Sequence, residues 1–343
     1  MSIFSLVRRD SPISTTHRAF LLICPLVFVI FLFSLSIGAI SIPAKALVFG
    51  GLDQLQQSVL FNIRLPRAIL AMSVGASLGI SGAAMQGLFR NPLADPGLIG
   101  ISSGAALAVA ISIVLIGPAT GFLGLYGMGF AAFIGGTITS LVILRLSKIS
   151  GLFSVTHMLL AGIAINALTF AGTGVLTYLS DDQQLRAFTF WTMGSLGGAL
   201  WSQVFVSASI TVPAIWILVL KARQLNILLL GEENATYLGI DTVRLKRTII
   251  LTTALTVGAA VAISGLIGFV GLVVPHLIRL LFGANHQLLI PLSALLGAGL
   301  LLLADTFART IVSPAELPVG VLTSLIGGPF FLWLLIKQTS GKL

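Results

Sequence analysis

Apolar runs about 20 residues long recur along nearly the whole chain, and they are unbroken by charge. A bilayer hydrocarbon core of ~30 Å is spanned by about 20 helical residues. The runs therefore predict ten membrane-spanning helices, at roughly 19–41, 65–88, 97–116, 121–144, 155–179, 200–220, 247–267, 269–282, 287–304 and 318–336. The whole chain, 1–343, reads as one transmembrane domain with its membrane core at about 19–337. A transmembrane barrel is excluded because its strands alternate apolar and polar residues in ~10-residue segments.

Composition closes the soluble alternatives. Charged residues make up 8% of the 343, where a soluble domain carries about 25%. Mean hydropathy is +1.08. An ordinary soluble enzyme, a DNA-binding protein and a disordered chain are all excluded. The net charge of +9 would hint at nucleic acid in a soluble protein; here it follows the positive-inside bias. The single cysteine, Cys24, forms no intramolecular disulfide and reads as a small lipid-facing or packing residue of the first run. Arg8, Arg9 and Arg18 before that run, and Ala44-Lys45-Ala46 after it, resemble signal-peptide flanks. The run exceeds the usual 7–15 apolar residues, so a retained helix is the preferred reading over a cleaved leader.

Charge placement predicts orientation. With ten spans and a cytoplasmic N-terminus, fourteen Lys and Arg fall inside: Arg8, Arg9, Arg18, Arg90, Arg145, Lys148, Lys221, Arg223, Arg244, Lys246, Arg247, Arg279, Lys337 and Lys342. Only Lys45, Arg64, Arg67, Arg186 and Arg309 fall outside, so both termini are expected in the cytoplasm. A faint repeat supports a transporter plan. Arg64-Leu-Pro-Arg67 and Ile80-Ser-Gly82 in span two are echoed by Arg244-Leu-Lys-Arg247 and Ile263-Ser-Gly265 in span seven. An odd number of crossings separates the copies, which makes the repeat inverted. Gly75 with Gly79, and Gly100 with Gly104, are spaced to let helices approach closely.

The energy source is expected to lie outside the chain. Span cores hold almost no ionisable group, unlike ion-coupled transporters. Asp305, Arg279, Asp181 and Asp182 fall at span ends, and His276 sits in the short eighth span. No HExxH and no GxxxxGK[ST] phosphate loop occurs. The polar connection 221–246 predicts two short helices hinged at Gly231, with Glu232 and Glu233 favourable at a helix N-terminus. Ala235 and Leu238 are placed on one face by their spacing. Such a knob suits docking to a cytoplasmic partner better than mere linkage.

Five segments then become recognisable: Arg64-Leu-Pro-Arg67, Arg90-Asn-Pro-Leu-Ala-Asp-Pro-Gly-Leu-Ile-Gly100, Leu229-Leu-Gly-Glu-Glu233, Gly268-Phe-Val-Gly-Leu-Val-Val-Pro-His-Leu-Ile-Arg279 and Glu316-Leu-Pro-Val-Gly320. They resemble the permease subunits of bacterial ABC importers for iron–siderophore complexes, haem and cobalamin, the FecCD/BtuC type, across about 20–337. The resemblance implies an all-α polytopic fold of ten helices with an inverted repeat. It also implies a homodimer in the inner membrane with the pathway at its interface, two ATP-hydrolysing subunits and a periplasmic binding protein. It gives roles to residues. Leu230, Gly231, Glu232, Glu233, Ala235, Leu238 and Gly239 match the ATPase-coupling segment. Arg64, Arg67 and Arg309 match outer arginines that dock the binding protein, while Asn91, Leu93, Ser154, Val155 and Thr156 match the cytoplasmic gate.

The region Gly174–Gly197 is most similar to the haem-importing branch. Arg186 has the planar fork to hold a haem propionate. No histidine is expected on the outer side, so Tyr178 and Met193 join Arg186 in the substrate pathway as the candidate substitutes for an axial histidine, a packing or interfacial role being the preferred reading of each. The expected function is therefore haem translocation by an ABC importer, with no metal bound by the chain and ATP-Mg used by the partner. An iron–siderophore or cobalamin permease is the alternative within the family, and an ion-driven secondary transporter the alternative outside it.

Overall fold

The computed structural model describes residues 12–117, 120–149 and 152–339. In chain order its helices are α1 (Pro12–Ser36), α2 (Ala44–Phe49), α3 (Gln54–Val59), α4 (Leu65–Phe89), α5 (Ile101–Ile111), α6 (Gly121–Leu146) and α7 (Val155–Leu179). There follow α8 (Asp182–Met193), α9 (Trp201–Leu228), α10 (Glu232–Tyr237), α11 (Thr242–Ser264), α12 (Val270–Phe282), α13 (His286–Ala308) and α14 (Val319–Thr339). A two-residue antiparallel pairing, β1 (Lys148–Ile149) with β2 (Leu152–Phe153), joins α6 to α7. A π-turn at Leu60–Arg64 fuses α3 to α4, and another at Ser112–Ile116 extends α5. Arg8, Arg9 and Lys342 of the charge tally lie outside the described residues.

Seven helices are long and apolar enough to cross a bilayer, and three shorter apolar helices, 101–116, α12 and Val319–Leu334, complete ten among the described residues. They follow the ten apolar runs in order. The bundle has a centre and a rim. In the most apolar window of α4, 83% of residues are buried, against 17% in α7. The helices α4, α11 and α13 form the centre, and α1, α6, α7 and α9 present most of their surface outward.

Small residues build that centre. In lipid no hydrophobic force draws apolar helices together, so association rests on close packing and interhelical hydrogen bonds. Gly75 and Gly79 lie directly on the α13 backbone at Gly297 and Ser293, and Gly82 lies on Gly271 of α12. Gly100 and Gly104 both meet Thr139 of α6. On another face, Ser73 and Ser77 of α4 hydrogen-bond Ser207 and Thr211 of α9 at 2.7 and 2.8 Å.

Two crossings are broken, at opposite ends. After α4 the chain turns back into the bundle before α5 begins. Pro96 packs beside Gly271, and Gly100 adopts φ 76° as the cap of α5. After α11, Gly265 turns at φ 69° and an irregular stretch re-enters to Phe269, which caps α12 at φ 67°. The two re-entrant stretches meet at a cavity of about 240 Å³ lined by Leu78, Asp95, Pro96, Val261, Ile267 and Phe269, among others. Half-helices meeting in the interior are the plan of inverted-repeat transporters.

Three sequence readings are corrected. Gly82 lies inside α4 whereas Gly265 ends α11, so Ile80-Ser-Gly82 and Ile263-Ser-Gly265 are not equivalent positions; only the two arginine-rich strings open corresponding helices. The first of the two short helices expected in 221–246 is instead the end of α9, which continues to Leu228 because Lys221, Arg223, Gln224 and Leu225 are good helix formers. An additional helix, α8, follows span five. Asp181 and Gln184 form its capping box, and Phe188 is its one buried residue among those described.

Candidate functional site

The first site is the knob at the end of the bundle where α9 meets α11. Gly231, at φ 107°, lets the chain leave α9 and cap α10. Glu232 and Glu233 fill the first turn of α10, where the exposed N–H groups favour negative charge. At the far end Ile240 N–H donates to Ala235 O at 3.0 Å and Gly239 N–H donates to Thr236 O at 2.9 Å. This is a Schellman closure with Gly239 left-handed at φ 81°. Ala235 is fully buried against the body. Leu238 is 60% exposed, so the two do not share a face as their spacing suggested. The helix stops at Tyr237, and Leu238 turns outward as its cap. The solvent side thus carries Leu230, Glu233, Tyr237 and Leu238.

The second site lies at the opposite end, and here the structure changes the expected picture. Arg64, Arg67 and Arg309 are bonded inside the chain. Arg64 is 4% exposed and donates to the carbonyls of Leu35 at 2.6 Å, Ser36 at 3.1 Å and Ile40. Arg67 grips Asp305 through Nε and Nη2, at 3.0 and 2.9 Å, and reaches Glu316 through Nη1 at 2.9 Å. Arg309 donates to Ser34 O and, at 3.1 Å, to Ser34 Oγ. None of the three is a free outward charge. For Arg67 the cause is Asp305, which is 1% exposed and needs a cation beside it; Arg64 and Arg309 are held by carbonyls and a hydroxyl at the end of α1 and just after it. Glu316 is the exposed arm of this cluster, with a side chain 46% accessible. Arg67→Ala should lower stability by about 3–5 kcal/mol, because it strands a buried carboxylate. Thermal unfolding in detergent measures this, and Asp305→Asn in the same background should recover part of the loss. A wild-type midpoint for Arg67→Ala would remove the clamp role.

The residues expected at the gate and the pathway are spread over several elements. Asn91 closes the turn after α4, its Oδ1 accepting from Leu93 N–H at 2.9 Å, and Leu93 is exposed. Ser154 caps α7 by accepting from His157 N–H at 3.4 Å; Val155 and Thr156 form the first turn. Beyond them the re-entrant stretch packs on α7, where Leu98 O abuts Gly162. Tyr178 is 88% exposed near the end of α7, and Arg186 is exposed on α8. Arg186 makes no ion pair with Asp181 or Asp182; Asp181 is engaged as the cap, accepting from Gln184 N–H at 2.8 Å. Met193 ends α8 with its carbonyl against Gly320.

Sequence reasoning missed three features. Asp95 falls between the second and third predicted spans, yet the re-entrant turn carries it to the interior cavity, where it accepts from Gly97 N–H at 2.7 Å. The Asp-Pro-Gly string was the available signal, since it marks a turn. The pairing of Glu316 with Arg67 and the burial of Lys246 had no local signal.

Comparison with known proteins completes the description. The model of the FecCD transport family matches residues 26–337. The hemin transport system permease protein HmuU of Yersinia pestis is 53% identical over 319 residues, covering 93% of this chain and 95% of that protein. The vitamin B12 import system permease protein BtuC of Vibrio vulnificus is 41% identical, covering 84% and 86%. A solved chain of a metal-chelate type ABC transporter in an inward-facing conformation superposes with a TM-score of 0.83 at 36% identity, covering 92% and 97%.

Proposed function

Since the chain belongs to the FecCD transport family, we propose that it is the membrane-spanning subunit of an ABC importer that carries haem across the bacterial inner membrane. The observation that carries the substrate is the 53% identity with a hemin permease over nearly the full length of both chains. Two copies form the pathway, both termini face the cytoplasm, a periplasmic haem-binding protein delivers the cargo, and two ATPase subunits supply the energy. The chain itself performs no covalent chemistry. The second reading is an iron–siderophore or cobalamin permease; the 41% identity with BtuC favours cobalamin, and the superposition with a metal-chelate type transporter favours a metal chelate.

The residues take these roles. The exposed side of α10, with Leu230, Gly231, Glu232, Glu233, Leu238 and Gly239, seats in the ATPase, and buried Ala235 anchors it. Asn91, Leu93 and the Ser154–Thr156 turn close the cytoplasmic end. Arg64, Arg67 and Arg309 serve docking indirectly. An acidic group of the binding protein engages Arg67 by competing with Glu316, the accessible carboxylate of the cluster, and Arg64 and Arg309 add positive charge beside it. Arg186, exposed and without an ion pair among the described residues, meets a haem propionate as a bidentate donor. Tyr178 and Met193 line the approach to it.

The test is uptake into proteoliposomes holding the full complex, with haem and its propionate diester as cargoes. Haem uptake should require ATP on the ATPase side. Arg186→Ala should cut it by about tenfold, the value of one charge-assisted hydrogen bond, and Arg186→Lys should restore it in part. The diester should be a poor cargo that loses little more with Arg186→Ala. Equal loss for both cargoes would remove the propionate clamp; transport of cobalamin in preference to haem would remove the substrate assignment.

A further inference from the structure

The knob is joined to the centre of the bundle by a buried charge. Lys246 is the fifth residue of α11 and is 2% exposed, one of the largest fully buried side chains described. Its Nζ lies 2.5 Å from Oε2 of Glu232, the first residue of α10, whose side chain is 40% exposed. A lysine seldom occupies such a place without a charge partner. Apolar side chains of similar volume would pack there at no loss, so stability alone does not call for a pair.

We propose that Lys246 is a positioning residue, the pin through which movement of α10 is delivered to the centre of the bundle. The inference rests on reading α10 as the ATPase contact. Three observations carry it. First, the pair joins the N-terminus of α10 to α11 across the hydrogen-bonded turn at Leu238–Asp241, so the two helices move together. Second, Lys246 shares a helical face with Ile249, Ile250 and Thr253, all buried, and α11 packs directly on α4, α6 and α9. Third, the pair is sealed on the lysine side and open on the glutamate side. A partner seated on α10 touches Glu232 and tightens or loosens its hold on Lys246 without entering the bundle.

The experiment measures transport and ATP hydrolysis together in the reconstituted complex of permease, ATPase and binding protein. Lys246→Met keeps the volume and removes the charge. The amount of cargo moved per ATP hydrolysed should fall about tenfold, within the range of known coupling effects. Lys246→Arg should restore most of the ratio, and so should the exchange Lys246→Glu with Glu232→Lys. Glu232→Gln tests the same link without altering the buried position and should lower the ratio likewise. An unchanged ratio in Lys246→Met and Glu232→Gln overturns the proposal. So does a proportional fall of transport and hydrolysis with loss of assembled complex, which would make the pair purely structural. Failure of the underlying reading looks different: the ATPase would then co-purify undiminished with a variant whose exposed α10 surface has been replaced.

Discussion

Replacing Leu238 by Glu, or Gly239 by Val, should abolish transport while leaving the bundle inserted. Leu238 is 60% exposed at the tip of the knob and supports nothing inside the bundle. A charge there meets the partner alone. Gly239 sits at φ 81°, a conformation that costs an L-residue about 1–2 kcal/mol and a β-branched residue more. Valine would open the Schellman closure and turn α10 out of place. Interface anchors of this kind are worth about 2–4 kcal/mol, so association with the ATPase should weaken by roughly 30- to 1,000-fold. Co-purification of the ATPase and transport into proteoliposomes are the measurements. Gly239→Asn, which tolerates the left-handed region, should retain most activity. Normal transport with Leu238→Glu would reduce the knob to a linker.

Gly82→Val should prevent the bundle from assembling. A β-carbon on Gly82 would overlap the carbonyl oxygen of Gly271 across the α4–α12 crossing. The obstacle is backbone, which cannot swing aside as a side chain does. The cost should therefore exceed the about 1–3 kcal/mol of ordinary overpacking, and the helices must separate next to the interior cavity. The expected result is a protein that inserts but shows no cooperative thermal transition in detergent. Gly127→Ala is the control. Nothing lies within 4 Å of a β-carbon at that position in α6. The change should be neutral or stabilise by up to about 1 kcal/mol, since glycine weakens a helix interior. Equal behaviour of the two variants would show that the crossing is not as close as the structure has it.

The contrast between those glycines marks a boundary in what one dimension encodes. Ten crossings were legible because spanning a bilayer is a matter of length and polarity, both local properties. The knob was legible for the same reason. Gly231, Glu232, Glu233 and Gly239 announce a hinge, a favourable helix start and a left-handed stop within a few residues. Even there the local signal failed in detail. Helix propensity carried α9 past its apolar limit to Leu228, and Leu238 left the face its spacing assigned.

Local properties determined the class of molecule, the number of crossings and the position of the knob. The tertiary structure alone decided which charges are free. Arg67 and Asp305 are distant in sequence, and nothing near either announces the other. Asp305 is buried by the packing of α13 on α4, and the cost of burying it selects Arg67 as its partner. Packing likewise places Asp95 of the 90–100 turn at the interior cavity and buries Lys246 where α11 meets its neighbours. A side chain's depth depends on every helix around it, so residues of the same type became a buried clamp at position 67 and an exposed fork at position 186.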